Sequence, residues 1–232
     1  MKEILARGLD AMGIAAPAGA VEALALYGER LREKNTVMNL TAITEPEEMA
    51  RLHFLDCAAV LGVADFAGKR VADVGCGAGF PGMPIKLLCP SVQLTELDSA
   101  GKKLDFVRAT AEELGCEGVE CLWGRAEEQT ALRESFDIVV SRAVADYAVL
   151  AELCLPLVKV GGLFLAMKGP QCGEEVDAVN VGKLGARVLR TEIYTIPETD
   201  IVHSVVVAEK RAPTPAEFPR RYAQIKKKPL RK

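Results

Sequence analysis

The sequence has little of what metal centres and disulfide frameworks are built from. Its 232 residues include 2 histidines and 7 cysteines, and no two cysteines stand in a Cys-x-x-Cys spacing. An odd number of scattered cysteines argues against a disulfide framework and against a zinc site, and it is typical of a protein from a reducing cytosol. We therefore expect no bound metal and a cytoplasmic location.

The sequence also lacks a long apolar run. No stretch approaches the roughly 18 uninterrupted apolar residues that a membrane span needs. Residues 11–21 are uncharged, but acidic residues precede them and two glycines and a proline interrupt them, so a secretory signal is not expected. Internal repeats and low-complexity segments are missing too, and 50% hydrophobic with 26% charged residues is the balance of a globular protein.

Charge is unevenly distributed along the chain. Residues 209–232 hold nine Lys and Arg against two Glu, a net charge of +7, which leaves −10 for the rest of a chain whose total is −3. An acidic body argues against general coating of nucleic acid, whereas a basic tail permits one local contact with a polyanion. On charge alone, a solvated and partly frayed terminus is the simpler interpretation.

Short runs of β-branched and aliphatic residues alternate with helical patterns from residue 69 onward. Alternating strands and helices predict a doubly wound, mostly parallel sheet. The clearest helix follows the second run and is closed by Gly115. The predicted strands are Arg70–Val74, Val92–Leu97, Val119–Leu122, Phe136–Val140, Leu163–Met167, Arg187–Tyr194 and Ile201–Ala208.

The last two predicted strands are joined differently. About six residues separate them, too few for a crossover helix, so they should form an antiparallel hairpin. The expected fold is therefore α/β, a seven-stranded sheet with an antiparallel last strand. Before it, apolar residues at helical spacing predict a helical extension, in which 44–47 resemble a capping box. The expected division is 1–65 helical extension, 66–210 sheet domain and 211–232 basic tail.

A glycine-rich loop follows the first predicted strand, in the run 73–82, DVGCGAGFPG. Ligands of open α/β sheets bind beyond the carboxyl ends of the strands, where glycines let the backbone approach a ligand closely. The second strand ends at Asp98, 23 residues after Gly75. An acidic residue at that place can accept both hydroxyls of a ribose, so the ligand should contain a nucleoside.

The type of loop narrows the ligand further. A dinucleotide fingerprint would require glycine at 80, where Phe80 stands, and the third glycine is Gly79. Asp73 lies two residues before Gly75, and a carboxylate there suits a cationic amine or sulfonium better than a pyrophosphate. The pattern D-x-G-x-G-x-G is similar to the S-adenosylmethionine site of class I methyltransferases. A nicotinamide dehydrogenase is the less favoured alternative.

Two kinds of methyl acceptor can be set aside. Methylation of an exocyclic amine usually uses an Asn/Asp-Pro-Pro-aromatic run, and residues 141–144 read SRAV instead. Methylation of carbon 5 of a pyrimidine needs a nucleophilic cysteine, whereas Cys154 lies in an apolar context and is expected to be a buried helix residue. A ring nitrogen such as guanine N7 has a free lone pair and no proton to lose, so alignment alone can do most of the catalysis of its methylation.

The chain resembles the glucose-inhibited division protein B family, the small-subunit ribosomal RNA guanine-N7 methyltransferases. The resemblance covers nearly the whole chain from about residue 35. Cys76 and Glu96 depart from the residues that are usual in the family. The matching segments are 39–43 (NLTAI), 53–56 (HFLD), 73–82, 97–99 (LDS), 124–127 (GRAE), 141–143 (SRA), 167–169 (MKG) and 226–230 (KKKPL).

The resemblance implies S-adenosylmethionine as cofactor and 16S ribosomal RNA or the 30S subunit as partner. It implies cofactor contacts from Asp73, Gly75, Gly77, Gly79, Phe80, Asp98, Ala126, Glu127 and Arg142, and substrate-side or catalytic roles for Arg142, Lys168 and Asn39, with His53 as a weaker addition. Arg142 ends the fourth strand, where it should face the ligand carboxylate or the RNA unless it forms a structural salt bridge. Lys168 could hold an RNA phosphate.

Two other functions remain compatible with the residues. One is a class I methyltransferase acting on a small molecule or a protein. The other is a non-catalytic ribosome-associated factor that binds S-adenosylmethionine.

Overall fold

The computed structural model describes residues 1–142 and 145–232. Its centre is a seven-stranded sheet in the order β3-β2-β1-β4-β5-β7-β6, in which β7 runs antiparallel to both β5 and β6. The expected fold class and the terminal hairpin are therefore confirmed. The strands are β1 Arg70–Val74, β2 Gln93–Asp98, β3 Val119–Trp123, β4 Phe136–Arg142, β5 Val158–Lys168, β6 Ala186–Thr195 and β7 Val202–Lys210.

Helices cover both faces of this sheet. Between α3 and α4 the chain forms a π-helical turn, Ala50–Leu55, so that 46–58 is one continuous helical segment. The helices are α1 Lys2–Ala11, α2 Ala20–Asn35, α3 Pro46–Met49, α4 Asp56–Ala58, α5 Gly82–Leu88, α6 Gly101–Glu113, α7 Tyr147–Cys154, α8 Gly173–Asp177 and α9 Tyr222–Lys227.

Two helix ends can be compared with what the sequence predicts. Gly115 follows α6 in a left-handed conformation and its N–H donates to Glu112 O, as the closing glycine was expected to do. The capping box at 44–47 was wrong. The helix begins at Pro46, with Glu45 as the N-cap and no capping bond from its side chain, so Thr44 lies one residue too early to cap it.

Side chains alternate between two hydrophobic clusters, one on each face of the sheet. Val205 and Val207 of β7 point to the face covered by α1, α2, α5 and α6, whereas Val206 and Ala208 point to the face covered by α7, α8 and α9. Because successive side chains of a strand point to opposite faces, apolar residues at consecutive positions bury the strand on both sides. Cys154 belongs to the second cluster and is fully buried, as expected.

The N-terminal helices pack directly on the first face. Leu5 of α1 and Leu24 of α2 are buried in the same cluster as β-strand residues. The hydroxyl of Tyr27, also in α2, donates to Ala78 O at 2.9 Å and so ties this helix to the glycine loop. The helical extension therefore supports the loop that follows β1, and the boundary at 65 stays a proposal.

The basic tail is docked on the second face. Ile225 is completely buried and Leu230 is 8% exposed, both within the second cluster. Glu152 of α7 is fully buried and accepts hydrogen bonds from the backbone N, Nε and Nη2 of Arg220 at 3.0, 2.8 and 2.6 Å. The C-terminal tail is therefore not frayed, although charge alone favoured a frayed terminus. Its buried apolar residues and the Arg220–Glu152 ion pair hold it on the sheet.

Candidate functional site

Two cavities adjoin at the carboxyl ends of the central strands. The larger, of about 690 Å³, and the smaller, of about 320 Å³, are both lined by Gly75, Gly77, Lys103 and Arg142. These shared residues form the border between them. The larger cavity also contacts the N-terminal segment and β7, and the smaller one extends towards the residues that follow β2 and β3. This is the edge where ligands of open α/β sheets bind.

The glycine loop lies at this border. Gly75 N donates to Leu97 O at 2.8 Å, which joins the loop to the end of β2. Gly77 has a φ of +57°, and a Cβ at this position would meet no atom within 4 Å. Glycine is therefore favoured here by the left-handed backbone conformation and not by a lack of space for a side chain. Gly79 has a φ of +82°, and its Cβ would lie 2.5 Å from the hydroxyl of Tyr27. Gly79 therefore shapes the loop against α2 and does not line either cavity.

Asp73 is buried behind the loop. Its Oδ2 accepts a hydrogen bond of 2.7 Å from the N–H of Gly82, the first residue of α5, and its Oδ1 has no hydrogen-bond partner. Burial raises the pKa of Asp73 to about 7. Because neither cavity is lined by Asp73, the structure gives it the position of a support for the loop, not that of a group in direct contact with a ligand.

Glu96 is the register partner of Asp73 across β1 and β2 and is also fully buried. Burial, and next the negative charge of Asp73, raise the pKa of Glu96 well above its usual value. Burial therefore disfavours the charged form of both carboxyl groups of this pair. The carboxyl group of Glu96 contacts the position where Gly82 would carry a Cβ, at 2.5 Å, so it packs under the start of α5.

Asp98 lines the smaller cavity at the end of β2. Its Oδ2 accepts from Gly77 N at 2.8 Å and its Oδ1 from Ala100 N at 2.7 Å. A carboxylate oxygen has more than one lone pair, so both oxygens can still accept hydroxyl groups. Ala126 and Glu127 line the same cavity, and the Glu127 side chain is only 7% exposed.

Arg142 lies among three acceptors at the border of the cavities. Its Nη1 donates to Leu52 O and to Asp56 Oδ2, both at 3.1 Å, and its Nη2 lies 3.1 Å from His53 Nδ1. The guanidinium carbon is 5.2 Å from the centre of the Phe80 ring. Arg142 therefore forms the structural salt bridge that was one alternative, and it also lines both cavities.

Asp56 is the centre of this polar cluster and is 2% exposed. Its Oδ1 accepts from the Tyr194 hydroxyl at 2.7 Å and lies 2.8 Å from His203 Nδ1. Burial alone would raise the pKa of Asp56, but the hydrogen bond from His203 and the charge of Arg142 outweigh it and lower the pKa. The same carboxylate raises the pKa of His203. The cluster therefore holds a buried carboxylate between Arg142 and a histidine whose protonated form it favours.

His53 is neutral and has a defined tautomer. Arginine only donates, so His53 Nδ1 must accept from Arg142, and the proton is on Nε2, which lies 2.7 Å from Thr41 Oγ1. Burial, and next the positive charge of Arg142, lower the pKa of His53 to about 4. Its ring stacks on Phe80 with 4.7 Å between centroids. His53 and Phe80 together form part of the wall of the larger cavity.

Lys168 and Asn39 differ in their relation to the larger cavity. Lys168 lines it, and its Nζ donates to Glu175 Oε1 at 2.7 Å and to Ala145 O at 3.1 Å. Asn39 is exposed and does not line the cavity, whereas its neighbours Leu40 and Thr41 do. Ala143, the last residue of the 141–143 segment, lies outside the described residues.

The chain matches the model of the GidB family, rRNA small subunit methyltransferase G, over residues 20–194. It belongs to that family. The family assignment made from the sequence segments is thereby confirmed. The ribosomal RNA small subunit methyltransferase G of Symbiobacterium thermophilum is 45% identical over 238 residues, which cover 98% of this chain and 97% of the relative. That of Clostridium perfringens is 40% identical over 235 residues, covering 99% and 98%.

A solved structure supports the fold of this family member independently. A predicted O-methyltransferase, protein Atu636 from Agrobacterium tumefaciens, superposes with a TM-score of 0.52 at 23% identity, covering 68% of this chain and 80% of that one. Among the described residues, no group of three His, Cys, Asp or Glu is placed to hold a metal ion. None of the helices formed by residues 1–142 and 145–232 has the length and apolar character that crossing a bilayer requires.

Four residues of this family member's site were missed by sequence reasoning: Tyr194, His203, Lys103 and Tyr222. For His203 alone, the sequence contained a feature that could have pointed to the site. His203 is one of two histidines and lies in the predicted last strand, where its neighbour Ser204 pairs with Lys168 of β5. Lys103 follows Asp98 by five residues in α6 and carries no motif of its own. Tyr222 belongs to the tail and lines the smaller cavity.

Proposed function

We propose that this chain transfers a methyl group from S-adenosylmethionine to N7 of a guanine in small-subunit (16S) ribosomal RNA. The observation that carries the proposal is the pair of adjoining cavities, with Asp98 in one and Arg142 at their border, in a chain of the rRNA small subunit methyltransferase G family. Guanine N7 as acceptor rests on the resemblance of the sequence segments to guanine-N7 methyltransferases.

The residues of the smaller cavity fit the adenosine part of the cofactor. Asp98 keeps free lone pairs for ribose hydroxyls, although each oxygen already accepts one backbone N–H. No atom lies within 4 Å of the position that a Cβ on Gly77 would occupy, so a ligand can approach the backbone there. Ala126 and Glu127, on the same wall, are the proposed neighbours of the adenine. When bound, S-adenosylmethionine supplies a methyl group activated by attachment to a sulfonium.

The residues of the larger cavity suit an acceptor that loses no proton. Guanine N7 has a lone pair and carries no hydrogen, so methylation there needs alignment and no general base. His53 is neutral, but its Nδ1 accepts from Arg142 and its Nε2 faces Thr41, so both ring nitrogens are engaged. In the proposal, the Phe80–His53 stack provides a flat apolar wall, and Arg142, fixed by its three acceptors, orients the reacting groups.

Positive charge for the RNA comes from two places in this proposal. Lys168 lies on the wall of the larger cavity, and the docked tail carries Lys226, Lys227 and Lys228 on its exposed surface. Phosphate contacts from such residues position a nucleic acid without reading its bases. Asn39, exposed beside the larger cavity, is proposed to contact the RNA and not the cofactor.

Methyl transfer with labelled cofactor tests the function. The chain is incubated with S-adenosylmethionine labelled in the methyl group and, separately, with 30S subunits, free ribosomal RNA and an extract of small molecules and proteins. We expect label in 16S RNA, recovered as 7-methylguanosine after digestion, and much less label with Asp98→Ala when the cofactor is not saturating. Label only in the extract would indicate the small-molecule or protein methyltransferase. Cofactor binding without any transfer would indicate a non-catalytic ribosome factor.

A further inference from the structure

The C-terminal segment reaches the smaller cavity, far from the glycine loop in sequence. We infer that Tyr222 completes the adenine end of the cofactor site, so that the tail is a cofactor-binding element as well as a basic surface. The inference rests on the proposed use of S-adenosylmethionine. Nothing in the glycine-loop pattern or in the segments that carry the family resemblance includes Tyr222.

Tyr222 stands on the same cavity wall as the residues proposed to contact the nucleoside. It lines the smaller cavity together with Asp98, Arg125, Ala126 and Glu127. Its ring is half-buried, and the guanidinium carbon of Arg125 lies 5.6 Å from the ring centre. An arginine over an aromatic face is an attractive cation–π arrangement, which holds the ring in place.

Anchors on both sides of Tyr222 fix its position. Two residues before it, Arg220 is paired with the fully buried Glu152. Three residues after it, Ile225 is completely buried on the sheet. At the chain end, Lys232 N donates to Ala178 O at 2.8 Å. The Tyr222 ring also packs partly against the second cluster, and the anchors on both sides of it hold the segment that presents the ring to the cavity.

The chemistry of the ring suits a purine. An aromatic side chain offers a π face to any base, and a base–aromatic stack changes binding by roughly five- to 150-fold when the ring is removed. Asp98 can take the ribose hydroxyls, and the adenine then extends along the wall that Ala126 and Tyr222 share. Tyr222 would contribute affinity through its ring and not through its hydroxyl.

Titration calorimetry of the full chain with S-adenosylhomocysteine tests the inference, beside thermal melts of each variant. We expect Tyr222→Leu, which keeps apolar packing, to weaken binding about tenfold with little change in Tm, and Tyr222→Phe to bind as the unchanged chain does. Gln224→Ala, an exposed change in the same helix, is the matched control and should alter neither quantity.

The possible results separate two failures. If the unchanged chain does not bind S-adenosylhomocysteine, the proposed function is at fault. If it binds and Tyr222→Leu binds equally well, Tyr222 is no part of the cofactor site and the inference is wrong. Should Tyr222→Leu lower Tm while the folded protein retains full affinity, the ring serves only to pack the tail, which also overturns the inference.

Discussion

At the scale of single residues, Arg142 and Asp56 form an ion pair that is both structural and placed at the site. The side chains are 16% and 3% exposed, and their atoms are 3.1 Å apart. Removing one partner of a buried pair leaves a charge without compensation and usually costs about 3–5 kcal/mol. Asp56 would keep its contacts with Tyr194 and His203, so the lower end of that range applies.

We therefore expect Arg142→Ala to lower the free energy of unfolding by about 3 kcal/mol and to abolish methyl transfer. Adding Asp56→Asn removes the uncompensated charge and should restore part of the stability without restoring transfer. Urea unfolding and the transfer assay measure the two effects. If the double variant regains activity in proportion to its folded fraction, Arg142 acts only as a salt-bridge partner.

The two histidines of the cluster should give opposite pH dependences of stability. Burial lowers the pKa of His53 to about 4, below its unfolded value of about 6.5, so the unfolded chain binds the proton more tightly. Acidification from pH 6.5 to 4 therefore costs up to about 3 kcal/mol through His53. The pKa of His203 is raised, so its contribution is complete below pH 6.5 and is lost as the pH rises through the folded value.

Urea unfolding between pH 4.5 and 8 checks this pair of signs. His53→Gln should flatten the acid limb relative to the unchanged chain, because the neutral amide takes no proton. His203→Gln should leave the acid limb unchanged. It should lower the free energy of unfolding most below pH 6.5, where the contribution of His203 in the unchanged chain is complete. Parallel stability curves for His53→Gln and the unchanged chain would show that His53 is not buried in its neutral form.

Asp98 provides the sharpest test of the proposed nucleoside site. Asp98→Asn keeps an acceptor for one backbone N–H but removes the charge, and a charge-assisted hydrogen bond contributes about 1.5–3 kcal/mol. We expect affinity for S-adenosylmethionine to fall about ten- to a hundredfold in calorimetry. Asp105→Asn, an exposed change in the neighbouring helix, is the control. Equal affinities for the two variants would remove Asp98 from the site.

At the scale of elements, the turn after α2 is held by one side chain. Asn35 accepts from the N–H groups of Leu40 and Thr41 at 2.8 and 3.0 Å and donates to Thr41 O at 3.0 Å. Thr41 in turn contacts His53, and both Leu40 and Thr41 line the larger cavity. Asn35 therefore positions one wall of the larger cavity, the proposed acceptor side, without lining that cavity itself.

Asn35→Ala should raise the KM for the RNA substrate several-fold, because three hydrogen bonds of about 0.5–1.5 kcal/mol each no longer hold this wall. Affinity for S-adenosylhomocysteine should stay the same, since the smaller cavity has no contact with the turn. Thr36→Ala, which removes only an exposed bond to Glu33 O, is the control. A matching loss of cofactor affinity would mean that the turn supports the whole site.

The elements themselves could be predicted closely from the sequence, whereas their polar contacts could not. Short runs of β-branched and aliphatic residues predict all seven strands, and the short connection before β7 predicts the terminal hairpin, because both are local features of the sequence. The Arg142–Asp56 pair joins residues 86 positions apart, and His203 joins Asp56 across 147 positions. Such contacts depend on how β4, β7 and the π-helical turn meet in space, and no local pattern in the sequence records that.

At the scale of the whole molecule, charge is separated between the acidic body and the basic tail, but much of the tail's charge is already paired. Lys210 is fully buried, with Nζ bonded to Leu155 O and Thr214 Oγ1 at 2.7 and 2.6 Å, and Arg220 pairs with Glu152. Arg231 pairs with Asp146. Removing everything after Ala208 would therefore expose buried partners and destabilise the fold, so truncation is a poor test of RNA binding.

Replacing Lys226, Lys227 and Lys228 by Gln tests the tail without disturbing its anchors, because all three side chains are exposed. If each lysine neutralises one phosphate, the slope of log affinity for 30S subunits against log salt should flatten by about two to three units. The melting temperature and the affinity for S-adenosylhomocysteine should not change. The matched control is the triple change Lys2→Gln, Lys34→Gln and Lys183→Gln, which alters net charge equally at exposed positions of other elements. Because both triple variants shift the total charge by the same amount, equal slopes for the two would mean that only net charge matters and that the tail makes no phosphate contacts of its own.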